Sequence, residues 1–304
     1  MNVPLGRRAL AEAVGSAALV AVVVGSGIQA TELTDDVGVQ LLANSLATVF
    51  GLGVLIVLFG PVSGAHFNPV VTLAVWFADR RTPGGLTPRD LAAYVLAQMA
   101  GAVAGAVLAD AMFGEPLVRW STHDRSAGHL LLGEVVATAG LVLLVLGLAR
   151  TGRARFGPVA VASYIGAAYW FTSSTSFANP AVTVGRAFTD TFAGIAPASV
   201  GPFVVAQVVG AGLGVGLVAA VFVRPVGGRG GAVGTGVVGA VDSVGIADAV
   251  DAADVAYAVD VAGAADVTGV SEAAGVSGVT EAAGVSGVTE ASVVAGGEPE
   301  LTTS

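Results

Sequence analysis

The chain has 304 residues, of which 54% are hydrophobic and 12% are charged, and its formal net charge is −9. A soluble domain carries about 25% charged residues, so this composition excludes an ordinary soluble domain and indicates a protein of the lipid bilayer. The absence of cysteine excludes disulfide and thiolate chemistry, and three histidines make a metal site only if all of them converge.

Six stretches of the chain are long and apolar enough to span a bilayer, which takes about 20 residues per helix. Two further apolar stretches, at about 65–78 and 178–189, are too short to cross. They follow polar loops of small residues, as re-entrant segments do. The six predicted spans lie at about 9–30, 38–60, 89–110, 128–149, 157–173 and 199–223.

Arginine placement predicts the orientation of these spans, because cytoplasmic loops carry an excess of positive residues. With the N-terminus inside, ten arginines fall in inner segments and three fall in outer segments, namely Arg119, Arg125 and Arg186. Both ends of the chain are therefore expected in the cytoplasm, and the protein in the inner or plasma membrane of the cell.

Each of the two short segments repeats one local pattern, an Asn-Pro pair, a small residue and then an apolar run. Asparagine is a favoured N-cap and proline is favoured at the first helical position, so a helix is expected to begin at each asparagine. At roughly 10–13 residues, each helix would reach about halfway across a bilayer. The residues are Asn68, Pro69 and Val70 in the first segment and Asn179, Pro180 and Ala181 in the second.

The short segments occupy equivalent places in two halves of the chain, at about 1–110 and 128–224. Asn68 follows the second span and Asn179 follows the fifth, and each half contains three spans. Because three is odd, the halves have opposite orientations, and their broken helices meet at the midplane as in an inverted repeat. The predicted fold is an all-α membrane protein with six transmembrane helices and two re-entrant half-helices.

The meeting point of the half-helices is expected to act as a filter. Each asparagine oxygen caps its own helix, which turns the amide N–H groups of Asn68 and Asn179 towards the lumen. These donors orient a passing water by its oxygen, and each helix N-terminus adds about half a positive charge. Both effects oppose a proton relay and repel cations. One Asn-Pro pair alone usually marks a turn, but two at equivalent places of an inverted repeat indicate a passive channel.

At these residues the chain resembles the major intrinsic protein family, the aquaporins and aquaglyceroporins. SGAHFNPVVT is close to the family's first loop motif, and SFANPAVTV partly matches the second. Glu12, Gln98, Glu134 and Gln207 stand where the family carries Glu or Gln within a span. The resemblance covers about residues 8–224 and implies a homotetramer in the lipid bilayer, with one pore per subunit for water and small neutral solutes.

Departures from the family pattern bear on selectivity. Val70 replaces an alanine, a change that the family tolerates, whereas Val182 stands where the second motif carries the arginine of the outer constriction. Arg186 follows on the same helical face, about 6 Å further outward, where it is expected to line the outer vestibule. By offset from the motifs, the resemblance places the outer ring at Thr48, Ala167, Ser176 and Val182.

This ring of small side chains is wider and less charged than the Phe, His and Arg of a strict water channel, so polyol-sized or metalloid solutes are expected to pass. The segment SFANPAVTVGRAFTDTFAGIAP resembles bacterial aquaporins that are associated with arsenic-resistance genes. That resemblance implies conduction of neutral arsenite, As(OH)3, alongside water and glycerol.

Acidic residues within the spans raise an alternative function. Glu12 and Glu134 would be the coupling sites of a proton-coupled secondary transporter, whereas the resemblance implies that each accepts backbone N–H groups of a loop leading into a half-helix. His66 either lines the cytoplasmic half of the pore, as its family equivalent does, or is a buried ring bonded to a carbonyl. An enzyme is disfavoured because no nucleophile–base pair is found, and no cofactor, metal or nucleic-acid partner is expected.

The C-terminal segment 225–304 carries the acidity of the chain, with eleven acidic residues and one arginine. It repeats the unit EAAGVSGVT at 272–280 and 281–289 and has one aromatic residue, Tyr257. Such a segment buries too little apolar surface to offset its ordering entropy. We expect a disordered cytoplasmic tail, with a regulatory or docking role as the alternative.

Overall fold

The computed structural model describes residues 3–222, so the predicted tail at 225–304 lies outside the described residues. All regular structure in this part of the chain is helical, as predicted. The helices are α1 (Leu5–Leu33), α2 (Val37–Ser63), α3 (Pro69–Asp79), α4 (Pro88–Phe113), α5 (Gly128–Arg150), α6 (Gly157–Phe171), α7 (Pro180–Gly185) and α8 (Pro197–Val221), with 3-10 turns at Ala154–Phe156 and Arg186–Phe188.

Five helices, α1, α2, α4, α5 and α8, are long and apolar enough to cross a membrane. The sixth predicted span is α6, which has 15 residues and follows directly on the 3-residue turn Ala154–Phe156. At helical rises of about 1.5 and 2.0 Å per residue, the two pieces together extend about 28 Å, close to the thickness of a bilayer core. The short helix therefore completes the set of six.

Both half-helices begin where the sequence predicts and differ in how they end. α3 starts at Pro69 after the N-cap Asn68 and runs for 11 residues. α7 starts at Pro180 after the N-cap Asn179 but keeps α-helical geometry for only 6 residues before the turn Arg186–Phe188. Beyond this turn, Thr189 leaves helical geometry and its hydroxyl donates to Asp110 Oδ1 at 2.7 Å. The second half-helix is thus shorter than predicted because a contact with α4 redirects the chain.

Glycines bring α1 against α4 and α5 against α8. A Cβ at Gly101 or Gly105 of α4 would stand 2.1 Å from a backbone oxygen of α1, and a Cβ at Gly210 or Gly214 of α8 would stand 2.5 or 2.6 Å from one of α5. Small residues four positions apart allow this close approach of membrane helices. The same device recurs in both halves, in agreement with the inverted repeat.

We expect Gly105→Ala to destabilise the protein by about 1–3 kcal/mol, because the added methyl group forces α1 and α4 apart. The matched control is Gly212→Ala in α8, where nothing lies within 4 Å of the added carbon. Thermal unfolding of both purified variants in detergent measures the difference. An equal melting temperature for the two would contradict the packing argument.

Candidate functional site: a pore between the half-helices

The two asparagines cap the half-helices that they precede. Asn68 Oδ1 accepts a hydrogen bond from Val70 N at 3.1 Å, and Asn179 Oδ1 accepts one from Ala181 N at 2.9 Å. Both asparagines have extended backbone and are followed by proline at the first helical position. The local sequence therefore determines where each half-helix starts.

The asparagine amides also join the two halves of the molecule. Asn68 Nδ2 donates to the carbonyl of Ala178, and Asn179 Nδ2 donates to the carbonyl of Phe67, both at 2.8 Å. The starts of α3 and α7 therefore face each other at hydrogen-bonding range. Each amide nitrogen carries two N–H groups, so each keeps one for the cavity that Asn68 and Asn179 both line.

The loops before the asparagines have a strained backbone at matching positions. Ala65 and Phe67 have φ values of 50° and 48°, and Ser176 and Ala178 have 52° and 47°. In each pair the residues lie three and one positions before the asparagine. Left-handed geometry costs non-glycine residues about 1–3 kcal/mol each, so these loops depend on other contacts to hold their shape.

Glu12 and Glu134 supply those contacts. Glu12 accepts from the backbone N–H groups of His66 and Phe67 at 3.0 and 2.7 Å. Glu134 accepts from those of Phe177 and Ala178 at 2.9 and 2.8 Å. Both carboxyl groups are fully buried. The structure thus places them where the loop-supporting interpretation expects them.

One glutamine in each half extends this arrangement to the half-helix. Gln98 Nε2 donates to Glu12 at 2.7 Å and to Thr72 Oγ1 at 2.9 Å. Gln207 Nε2 donates to Glu134 at 2.6 Å and to Thr183 Oγ1 at 2.8 Å. Each glutamine therefore links the loop-supporting carboxylate to the first turn of the half-helix.

Both asparagines line a cavity with an empty volume of about 700 Å³, open solvent included. Most of its wall is apolar, and its polar groups stand in a few places, as in ligand pockets that fix orientation with few polar contacts. The polar or charged side chains lining it are Thr48, His66, Asn68, Tyr169, Ser176, Asn179 and Arg186.

Three of the four predicted ring residues, Thr48, Ser176 and Val182, line this cavity. Ala167 does not, because its side chain is exposed on the far side of α6. Tyr169 stands in the wall instead, and its hydroxyl lies 3.1 Å from Thr48 Oγ1. Thr48 donates its own proton to a backbone carbonyl, so Tyr169 is the donor of this pair.

The helical period explains the error over Ala167. Val161, Ile165 and Tyr169 are four residues apart, are all buried, and all line the cavity, as one face of a helix does. Ala167 lies about 200° around the helix from Tyr169. The prediction of Ala167 relied on its distance in sequence from Asn179, and the loop between them has an irregular backbone. The spacing of the apolar residues along α6 would have identified the cavity-lining face directly.

We expect Tyr169→Ala to raise the flux of solutes larger than water severalfold, because it removes a ring from the cavity wall and breaks the bond to Thr48. Stopped-flow measurement of glycerol and erythritol uptake into proteoliposomes tests this. The control is Ala167→Ser on the exposed face, which should leave the same fluxes unchanged. Changed fluxes in Ala167→Ser, with unchanged fluxes in Tyr169→Ala, would show that Ala167 and not Tyr169 lines the pore.

His66 lines the α3 side of the cavity, and its ring bonds a hydroxyl group and not a carbonyl. Nδ1 lies 3.2 Å from Thr72 Oγ1, while Thr72 donates to the carbonyl of Asn68 at 3.0 Å. Because this occupies the threonine proton, we infer that His66 Nδ1 is the donor. Nε2, which has no partner among residues 3–222, is then an acceptor at the cavity wall.

Phe177 takes the place of His66 in the second half, two residues before Asn179, and sequence reasoning missed it. Its ring lines the cavity, and the guanidinium carbon of Arg186 lies 3.5 Å from its centroid. Arg186 is itself buried and reaches the cavity, with its Nε donating to the carbonyl of Ala193. The equivalence of Phe177 with His66 in the inverted repeat was the available signal.

Comparison with known proteins places the chain among channels. A family model described as Major intrinsic protein matches residues 1–174, a range that contains α3 and ends before Asn179. Aquaglyceroporin AqpS of Rhizobium meliloti (strain 1021) is 50% identical over 207 residues, covering 68% of this chain and 86% of that protein.

More distant relatives agree over a shorter range. Aquaporin NIP1-1 of Zea mays is 34% identical over 164 residues, covering 51% of this chain and 53% of the maize protein. Among solved structures, the aquaglyceroporin from Plasmodium falciparum superimposes with a TM-score of 0.52, covering 72% of this chain and 97% of that one. At 21% identity, this last likeness shows the fold alone.

Proposed function

Because this chain belongs to the major intrinsic protein family, we propose that it is a passive channel for water, glycerol and small neutral metalloid acids that excludes ions and protons. The observation that carries the proposal concerns the side-chain amides of Asn68 and Asn179. Each donates a hydrogen bond to the loop that precedes the other half-helix, and both line one cavity. The family and its aquaglyceroporin relatives support passive passage of water and glycerol.

Proton exclusion follows from the donors at the centre. A water that accepts from both Asn68 and Asn179 turns its oxygen towards them and cannot pass a proton along a continuous wire. The N-termini of α3 and α7 add positive potential at the same place, which opposes hydronium and metal cations. Neutral solutes with hydroxyl groups meet no such barrier.

The outer ring favours solutes with several hydroxyl groups. Ser176 Oγ is buried and without a partner within the described range 3–222, and Tyr169 and Thr48, whose hydroxyls lie 3.1 Å apart, line the same cavity. Val182 adds an apolar surface to the same cavity wall, where a strict water channel has arginine. Glycerol and As(OH)3 each carry three hydroxyl groups on a compact core, and both match a wall that is polar on one part and apolar on another.

The resemblance extends the proposal to assembly and placement. We propose a homotetramer with one pore per subunit, in the plasma membrane, with both ends of the chain in the cytoplasm. The exposed apolar side chains along α2, including Phe50, Val54 and Val57, suit lipid or a neighbouring subunit. The excess of arginine in the predicted inner loops supports the orientation.

The proposal is tested with the full chain in proteoliposomes. Water, glycerol and As(OH)3 fluxes should each rise well above those of empty vesicles, with low activation energy and no dependence on a proton gradient. Saturable, proton-dependent flux with little water permeability would establish the coupled transporter instead. No contact among residues 3–222 favours that alternative, because Glu12 and Glu134 are engaged by loop backbone and glutamine donors.

A further inference from the structure

Position 182 carries no positive charge, although the family's second motif has the arginine of the outer constriction there. Val182 stands at that position in the cavity wall, and it is buried and apolar. The next positive residue is Arg186, which directly follows α7 and whose backbone N–H still donates to the carbonyl of Val182, four residues earlier. Residues four apart on a helix lie on one face, so the charge is displaced along the pore and is still directed to it.

Arg186 is held in that place by two contacts, and neither of them is with a carboxylate. Its Nε donates to the carbonyl of Ala193, and its guanidinium lies against the ring of Phe177. No carboxylate forms a salt bridge with it in the described part of the chain. The residue is only 4% exposed and lines the cavity, so its field acts on whatever enters.

A second arginine approaches the same ring from the loop between α4 and α5. The guanidinium carbon of Arg125 lies 5.1 Å from the Phe177 centroid, and its Nε donates to the carbonyl of Gly194 at 2.9 Å. Over residues 3–222, Arg125 likewise has no carboxylate within salt-bridge distance. Two arginines that form no salt bridge within residues 3–222 therefore converge on one aromatic side chain, the ring of Phe177.

The third arginine of the outer segments behaves differently. Arg119 is 61% exposed at its side chain and pairs with Asp190 at 3.3 Å. The backbone N–H of Thr122 donates to this carboxyl group at 2.8 Å and lowers the pKa of Asp190, which keeps it negative at neutral pH. The charge of Arg119 is thus neutralised at the surface, and this arginine serves as a matched control.

We propose that Arg186 is the cation filter of the outer vestibule, displaced one helical turn outward from the constriction, with Arg125 adding to its positive potential. The inference rests on the proposed channel function. It separates two tasks: the ring around Val182 limits solute size, and the stack of Arg186, Phe177 and Arg125 repels cations. Neutral solutes then pass a ring that is not narrowed by an arginine side chain.

The test compares cation leak in proteoliposomes that contain wild type, Arg186→Leu or Arg119→Leu. Removing the positive charge of a side chain that lines the cavity lowers the electrostatic barrier to cations. We therefore expect Arg186→Leu to raise methylammonium and K⁺ flux by about tenfold to a hundredfold. Arg119→Leu should stay at the wild-type level. Arg186→Lys, which keeps the charge without the fork geometry, should also stay close to wild type.

Glycerol flux through the same vesicles shows that each variant is folded and inserted. If wild type passes no glycerol, the proposed function fails. If Arg186→Leu passes glycerol but no more cations than wild type, the displaced filter alone is overturned. If Arg186→Leu does not insert into the membrane, Arg186→Gln gives the same comparison. As a separate test, the double variant Val182→Arg with Arg186→Leu should restore cation exclusion.

Discussion

Replacing Glu134 with leucine is expected to leave the second pore loop without support, so that little folded protein reaches the membrane. The change removes the acceptor for the backbone N–H groups of Phe177 and Ala178 and for Gln207 Nε2. A buried donor that loses its partner costs about 1–3 kcal/mol. Three such donors amount to about 3–9 kcal/mol, against a total stability of about 5–15 kcal/mol.

The position of these donors makes the loss larger than a count of bonds suggests. Ala178 has a left-handed backbone and also accepts the amide of Asn68 through its carbonyl. Once Glu134 no longer holds the loop, Ala178 can relax, and the bond that joins the two half-helices is lost with it. The pore centre therefore fails together with the loop.

Membrane yield and melting temperature in detergent measure the effect, with Glu32→Leu at the exposed end of α1 as the matched control. Glu134→Gln keeps one acceptor oxygen, so we expect a stability between those of wild type and the leucine variant. A coupled transporter predicts another pattern, in which Glu134→Gln folds normally and loses only proton-dependent flux. A leucine variant as stable as wild type would refute the supporting role.

The features that could be predicted are those with a local cause. Asn68 and Asn179 each act as N-cap to a proline that follows them, and the starts of α3 and α7 are determined by these pairs alone. The spans follow from apolar length in the same way. The meeting of the half-helices also followed from the sequence, because an odd number of spans in each half requires opposite orientation.

The features that were missed depend on contacts between distant parts of the chain. α7 ends early because Thr189 bonds Asp110, 79 residues before it, and no local signal marks that stop. Arg125 reaches Phe177 from another loop, 52 residues away by number. The prediction fell on Ala167, two positions before Tyr169, because the loop before Asn179 has left-handed residues and its length cannot be converted into a position on α6.

Val182→Arg is expected to cut glycerol and As(OH)3 flux by about tenfold or more, and water flux by less. At this position the cavity wall is formed by a buried valine. A longer side chain there narrows the passage, and a misfit of one small group in a close-fitting site costs about 1–3 kcal/mol. Water is smaller than glycerol and As(OH)3, so we expect its flux to fall least.

Arg186 makes this effect stronger in the single variant than in the double one. Like charges four residues apart on a helix repel each other, so an arginine at position 182 is pushed away from Arg186 and into the lumen. Combining Val182→Arg with Arg186→Leu removes that repulsion and should return part of the glycerol flux. Val182→Leu, which adds bulk without charge, separates narrowing from electrostatics. Equal losses of water, glycerol and As(OH)3 flux in Val182→Arg would show that residue 182 is not at the constriction.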